Sequence, residues 1–597
     1  MRSSSWWNQP SFVVGIFAAM GLLAMAACGS PEPTATPVPP TATATSTPRP
    51  APPTPTTAPG ATATTVVATP TATATATPTP VPSVQPKQGG IIKQSGTEDP
   101  PTFDAHNATS GAHDPHNSKL YSNLLWNPVG YQIVPDAAES YTISADGKVW
   151  TFKLRPNVKF QTGYTPASPR DGTAMTAQDV AYSLKKIMGL TDGVISARSG
   201  WMKEFIDIDR PDNGLEAVDN LTLKVHLVQP FAGLANILVI GFSTIIPDGI
   251  TRDQLAKRPY GTGPFKVDLQ NSQRGAQWIY NRNPDYFKAG LPFLDGYRHV
   301  NMDGTAIIQT AFLTGKIDLT SGNPTLDNKA IFDQRVKSGQ VYLLPYSTGC
   351  RPQVINMNST KPPFNDRKLR EAVNLAPDRI AYTQVVHNGF AVPSLYLDTS
   401  GLGRTVAEIE QMPGWRQPHD ADVAAAKKIV SDLYPKGLDV TMMVRNSSNY
   451  MTQGEFLAGE LKKIGINVTI QIVDSTVVFD RAAKLDYSLW TYYFCQTTGT
   501  PEELFGSYFL TGGSRNWIGY SDPKIDADYR DLAGTLDPVA RKQKSQAMEK
   551  YILDFLPSAP LPVQTDNRLA YSYVKDVPLT ITQYTWNKAE LIWRSDV

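Results

Sequence analysis

DADVAAAKKIVSDLYPKGLDVTMMVRNSSNYMTQGEFLAGELKKIGINVTIQIV, residues 420–473, alternates between two periodicities. It predicts a helix from about Asp420 to Leu433, a strand at Asp439–Val444, a helix at about Gly454–Ile464 and a strand at Asn467–Val473. A β-α-β order of this kind suggests parallel pairing of the two strands through a right-handed crossover. The chain is therefore read as α/β.

Similar signals extend in both directions from this stretch. Gly90-Ile91-Ile92-Lys93-Gln94 reads as a short strand. Lys148–Leu154 alternates apolar and polar residues after an Asp146-Gly147 turn, as a half-buried strand does. Thr176 is an N-cap with Asp179 three residues on, and Val180, Leu184 and Ile187 continue at helical spacing. Leu221–Leu227 is a further alternating strand, and a long helix is predicted from about Pro538 to Phe555. No repeat of 20–50 residues is visible, which argues against solenoids and propellers. The folded body is expected to run from Gly89 to the C-terminus.

Ahead of it lie two segments of another character. Phe12–Ala27 is apolar, ends in small residues and is shorter than a comfortable membrane span, so residues 1–27 read as a secretory signal peptide. Ala26-Ala27-Cys28 resembles a bacterial lipobox, which makes Cys28 the expected lipidation site. Residues 28–87 are almost wholly Pro, Thr and Ala. With no apolar periodicity to bury, this stretch is expected to be a disordered, PPII-like tether reaching at most roughly 180 Å. The body should then sit on the extracytoplasmic face of the bacterial cell membrane.

The 597 residues carry 55 Lys+Arg against 54 Asp+Glu, a net charge of +1. That balance supplies no basic excess for nucleic acid. Three cysteines, Cys28, Cys350 and Cys495, allow neither a disulfide scaffold nor a four-thiolate zinc site. With Cys28 acylated, Cys350 and Cys495 are expected to be two free thiols, since nothing local forces them together. Catalytic motifs are absent: no His-Glu pair begins a zincin helix, Gly261-Thr262-Gly263 lacks the third glycine of a dinucleotide loop, and Ile245 replaces the closing glycine of a nucleophile elbow. His106, His113 and His116 beside Asp104 and Asp114 do not share a helix face, and read as a solvated loop rather than a metal site. No enzyme activity, metal or cofactor is expected.

A series of blocks carries a resemblance over more than 400 residues. It begins with Val134-Pro135-Asp136-Ala137-Ala138-Glu139-Ser140, Ser144–Lys148 and Phe152–Phe160, and continues with Thr176–Ser183. Tyr260-Gly261-Thr262-Gly263-Pro264-Phe265, Asn281–Phe287, Gly290–Gly296, Gly315–Leu319 and Pro363–Asn374 follow. In order and spacing they resemble the family 5 extracellular solute-binding proteins, the dipeptide, oligopeptide and nickel group that serves ABC importers. The insert Gly163–Arg170 departs from that pattern and is expected only to lengthen a surface connection. The resemblance implies a two-lobed periplasmic-binding-protein-like fold with an extra third domain, two crossings between lobes and a ligand in the cleft. Lobe I is then about 89–125, 250–345 and 558–597, the extra domain about 126–249, and lobe II about 346–557. It also implies a monomer that closes by hinge movement and passes a small organic solute, a peptide or oligosaccharide, to ABC permease subunits.

Site residues follow from the same resemblance. Peptide-binding members carry Trp-x-x-Asp after a late strand, the Asp pairing with the peptide's ammonium group. Leu489-Trp490-Thr491-Tyr492-Tyr493-Phe494 keeps Trp490 but has Tyr493 at the acid's place. A neutral phenol does not supply that charge-assisted bond. Thr500 likewise replaces an acid in Gly499-Thr500-Pro501-Glu502, leaving Glu502 or Glu503 as substitutes. Arg445 lies near a position that meets the peptide carboxylate. The expected ligand residues are thus Arg445, Trp490, Tyr492, Tyr493, Phe494, Thr500 and Glu502. Alternation sets Trp490 and Tyr492 on one face and Thr491 and Tyr493 on the other, so two or three of the aromatic residues should meet ligand. Weak binding of simple dipeptides and preference for stackable or N-blocked solutes follow. A secreted hydrolase or a sensory lipoprotein on the same fold are the readings of another class.

Overall fold

Helix Asp420–Leu433, strand Leu438–Arg445, helix Ser448–Lys463 and strand Ile466–Val473 succeed one another along the chain, and the two strands pair in parallel over their full length. This is a computed structural model, and it describes residues 85–597 except 97–98, 101, 108–113, 128–131, 197–199, 347–349, 398–400, 497 and 579–588. The expected signal peptide, Cys28, nearly all of the expected tether and His113 lie outside the described residues. Among the described residues no helix is long and apolar enough to cross a membrane.

Three sheets organise the body. The parallel pair belongs to a five-stranded sheet ordered Ile466–Val473, Leu438–Arg445, Leu489–Cys495, Cys350–Met357, Ser558–Leu561. A seven-stranded sheet is ordered Val341–Tyr346, Asp566–Tyr571, Leu319–Ser321, Ile91–Gly96, Gly296–Asn301, Gln277–Arg282, Phe265–Val267. A four-stranded antiparallel sheet, Ala138–Ile143, Val149–Leu154, Thr222–His226, Leu215–Asp219, carries its own core of Trp150, Phe152, Leu184, Phe205 and Phe231. The helix against it, Ala177–Ile187, starts where the sequence places it. Thr176 N donates to Asp179 Oδ2 at 2.8 Å, and Arg170 caps the same carboxylate at 2.7 Å. The long helix Pro538–Phe555 also matches its expected span.

The chain passes between the five- and seven-stranded sheets at two places. One is after Tyr346, before Cys350; the other follows Leu561 and ends at Asp566. Tyr346 and Asp566 are paired in the ladder, so both crossings lie side by side. Strand Ser558–Leu561, expected with the first lobe's strands, pairs with Gln353–Asn356 of the five-stranded sheet, and the change of sheet comes a few residues later.

Two details bear on the hallmark blocks. Gly261 and Gly263 are needed for close approach: a Cβ on Gly261 would stand 2.0 Å from Leu120 O, and one on Gly263 2.4 Å from the Leu120 carbonyl carbon. Gly263 N donates to that oxygen at 3.0 Å. The insert Gly163–Arg170 does more than lengthen a surface connection. Its Tyr164 is buried, donates to Gln161 Oε1 at 3.0 Å and accepts from Val267 N at 3.1 Å, which ties the insert to the edge of the seven-stranded sheet.

Candidate functional site

A cavity of about 390 Å³ opens beside the two crossings, with walls from both sheets. That is within the roughly 300–1,000 Å³ usual for small-solute sites. The wall on the seven-stranded side is a fixed polar network. Gln309 Oε1 accepts from Thr325 N and Asn328 Nδ2 at 3.2 and 2.9 Å, and Gln309 Nε2 donates to Asn323 O at 2.8 Å. Asn323 Nδ2 in turn donates to Thr565 O at 2.8 Å, binding this wall to the second crossing. Gln564 and Asp566 line the cavity at that crossing, with Gln564 Nε2 donating to Asp566 Oδ1 at 3.2 Å.

The facing wall comes from three elements of the other sheet's layer: His387 and Asn388 at the end of helix Arg379–His387, Asn449 and Gln453 on helix Ser448–Lys463, and Tyr493 on strand Leu489–Cys495. Tyr493 is held on two sides. The Tyr450 ring meets it edge-on at 5.3 Å, and Gln453 Nε2 donates to its oxygen at 3.1 Å. Gln453 Oε1 is itself occupied by the Thr491 hydroxyl at 2.8 Å. Burial pushes the Tyr493 phenol up to about 12, so it is neutral at pH 7. Burial also lowers His387 to about 4, leaving a neutral imidazole whose Nε2 lies 2.8 Å from Gln353 Oε1. Since that oxygen only accepts, the ring is the Nε2–H tautomer. The Tyr382 hydroxyl donates to the same oxygen at 2.8 Å.

The other residues singled out by sequence lie elsewhere. Trp490 is fully buried and Tyr492 nearly so; they stack on each other at 4.8 Å and pack against Phe479 and Trp517. Phe494 stacks on Tyr508 at 4.4 Å in a separate core cluster. Alternation along the strand therefore holds, with the Trp490–Tyr492 face turned into the protein and Tyr493 toward the cavity. Arg445 lies over the Tyr450 ring at 5.7 Å and does not line the cavity. Thr500 caps helix Pro501–Tyr508, its hydroxyl accepting from Glu503 N at 3.3 Å. Glu502 is buried against Arg541 in a two-pronged ion pair, and burial raises its carboxyl while Arg541 opposes the rise. Glu503 takes Thr498 N at 2.6 Å and the Thr498 hydroxyl at 2.7 Å.

Two further expectations meet the structure here. Cys495 is disulfide-bonded, and the residue opposite it in the ladder is Cys350, so two free thiols is not what the fold contains. Strand pairing that no local sequence feature announces brings the two positions together. The histidines near residue 110 are not a solvated loop: His106 is buried, bonds Thr244 O through Nε2 at 2.7 Å, and is lowered to about 4 by burial. His116 is buried between Tyr280, Trp278 and His299. Among the described residues the one group spaced to hold a metal is Asp212, Glu216 and His226, far along the chain from these.

The cavity residues that sequence did not single out, among them Gln453, His387, Gln564 and Asp566, come from separate stretches and carry no motif. The signal within reach was the second crossing, since a residue just beyond it must lie beside the cleft.

Residues 132–516 match the family described as bacterial extracellular solute-binding proteins, family 5 middle. The chain is 26% identical over 485 residues to the glutathione-binding protein GsiB of Shigella boydii serotype 4, a match covering 78% of this chain and 87% of the relative. The fold is similar to that of the periplasmic binding protein DppA from Helicobacter pylori, solved with the peptide STSA. The TM-score is 0.67 and the identity 21%, covering 85% of this chain and 98% of that one. A dipeptide-binding protein from Pseudoalteromonas sp. SM9913, solved with Met-Leu, gives a TM-score of 0.65 at 20% identity, covering 85% of this chain and all of that one.

Proposed function

The chain belongs to the bacterial extracellular solute-binding proteins of family 5, and from that premise we propose that it captures a peptide-type solute in the cavity beside its crossings and delivers it to the permease of an ABC importer. The observation that carries the solute class is the lining. Amides of Asn388, Asn449 and Gln564 and hydroxyls of Thr305 and Tyr493 surround the space, and groups that both donate and accept suit a peptide backbone. The relative named for glutathione and the structures solved with STSA and Met-Leu support the same class. An oligosaccharide fits less well, because Tyr493 is the one Tyr, Trp or Phe ring lining the cavity among the described residues.

The two sheets with their helices act as lobes that close over the solute about the paired crossings. Cys28 anchors the protein through lipid, and residues 28–87 hold the body at reach from the membrane. Replacing Cys28 with Ser is expected to move the protein from the membrane fraction to the soluble one. Calorimetry of the full chain against glutathione, di- to pentapeptides and gluco-oligosaccharides tests the solute class. Micromolar binding within the peptide set is expected, and binding confined to the sugars would refute the reading.

A further inference from the structure

Resting on that reading, we infer that closure over the solute turns, at the second crossing, on one residue, Thr565, and that Asn323 is the positioning residue that confines the turn there. This crossing is narrower than the stretch from Leu561 to Asp566. Val563 and Gln564 pair antiparallel with Val392 and Ala391, and Asp566 opens a strand of the seven-stranded sheet. Thr565 is the single residue between a ladder on the five-stranded side and a ladder on the other.

Its two peptide groups are held from opposite sides. Thr565 N donates to Phe390 O at 3.0 Å. Phe390 belongs with the five-stranded sheet: its N donates to His387 O at 2.8 Å, and His387 is bonded to Gln353 of that sheet. Thr565 O accepts from Asn323 Nδ2 at 2.8 Å. Asn323 belongs with the seven-stranded sheet. Its Oδ1 accepts from Asn567 Nδ2 and its O from Gln309 Nε2, both at 2.8 Å. Gly322 N, just before it, donates to Asn567 O at 2.8 Å.

A peptide group is planar, so two planes fixed to different sheets are joined here only through the N–Cα and Cα–C bonds of Thr565. At this crossing, rotation of one sheet against the other is taken up by those two torsions, as hinges are by a few residues between elements. The branched Cβ of Thr narrows their range, where glycine would widen it. The cavity reads the pivot directly. Gln564 and Asp566, on either side of Thr565, both line it, and Gln564 Nε2 donates to Asp566 Oδ1 at 3.2 Å. A solute seated against them touches the chain on both sides of the turn, which couples binding to closure.

Spin labels on Asp333→Cys and Lys428→Cys, exposed helix positions packed with the seven- and five-stranded sheets, report the distance between the two in the full-length chain carrying Cys28→Ser. Without solute, Thr565→Gly is expected to widen the distance distribution about twofold over the parent. Asn323→Asp, which keeps the acceptor for Asn567 and loses the donor to Thr565, should widen it as well. Two variants should keep the parent width: Thr565→Val, branched but without the hydroxyl, and Pro562→Ala, which frees a torsion elsewhere in the crossing and removes no N–H. A parent width in Thr565→Gly or Asn323→Asp, or an equal widening by Pro562→Ala, would overturn the inference. Added glutathione and trialanine test the other reading. A parent distance that neither shifts would count against peptide capture, while the widths without solute still decide the pivot.

Discussion

Replacing Glu502 with Gln separates a ligand carboxylate from a structural one. The Glu502 side chain has no exposure and that of Arg541 is 10% exposed, with Arg541 Nη1 donating to Glu502 Oε1 and Nη2 to Oε2. Removing one charge leaves the other buried without its counter-charge, a change that costs about 3–5 kcal/mol. Gln keeps one acceptor for Arg541, so the lower end, about 3 kcal/mol, is expected from urea unfolding followed by tryptophan emission. The double variant Glu502→Leu with Arg541→Met should recover most of that loss, because a packed apolar pair carries no desolvation penalty. Neither protein should change its affinity for the peptide that wild type binds, since Glu502 does not line the cavity. A Glu502→Gln protein of unchanged stability that binds tenfold more weakly would refute this reasoning and return Glu502 to the ligand.

Gly261→Ala is expected to lower stability by about 3 kcal/mol, because its Cβ would lie 2.0 Å from a backbone oxygen that is itself bonded to Gly263 N; a thermal scan showing wild-type melting contradicts the close-approach account. Burial pushes the Glu549 carboxyl up to about 7, with Leu397 N donating to it at 2.7 Å. Its folded pKa lies above its unfolded value of 4.5. The stabilising contribution is therefore complete below about pH 4.5 and lost as pH rises through 7, a change of about 3 kcal/mol. Glu549→Gln should remove that slope and be the more stable protein at pH 8; parallel pH profiles for the two would count against it. Finally, denatured protein alkylated without reductant should carry no label on Cys495, whereas labelling there would contradict the disulfide.

What the sequence revealed and what it withheld divide along a physical line. Residues 420–473, the Thr176 cap and the helix Pro538–Phe555 were legible because period, cap and breaker are all local. The helix Ser448–Lys463 begins earlier than its expected start near Gly454, since its first turn is polar and Ser447 gives no side-chain cap bond. For strand Leu489–Cys495 the alternation was legible but not which face is core. That choice is made by Phe479 and Trp517, which pack on Trp490 and Tyr492 from elsewhere in the chain. Glu502 looked like a ligand anion because the charge that claims it, Arg541, lies on another helix. The site itself was legible only at Tyr493, since its other walls are set by the crossing of the chain between two sheets.

The central claim is that the cavity beside the crossings holds a peptide-type solute. Native mass spectrometry of the full-length chain, purified from its own host without denaturant, tests it most directly. The account predicts one adduct per chain whose release and fragmentation give a peptide or a close peptide derivative, lost in a variant where Asn449 is replaced by Trp to fill the cavity. An adduct that fragments as a sugar, or a peptide adduct that survives Asn449→Trp, would contradict it.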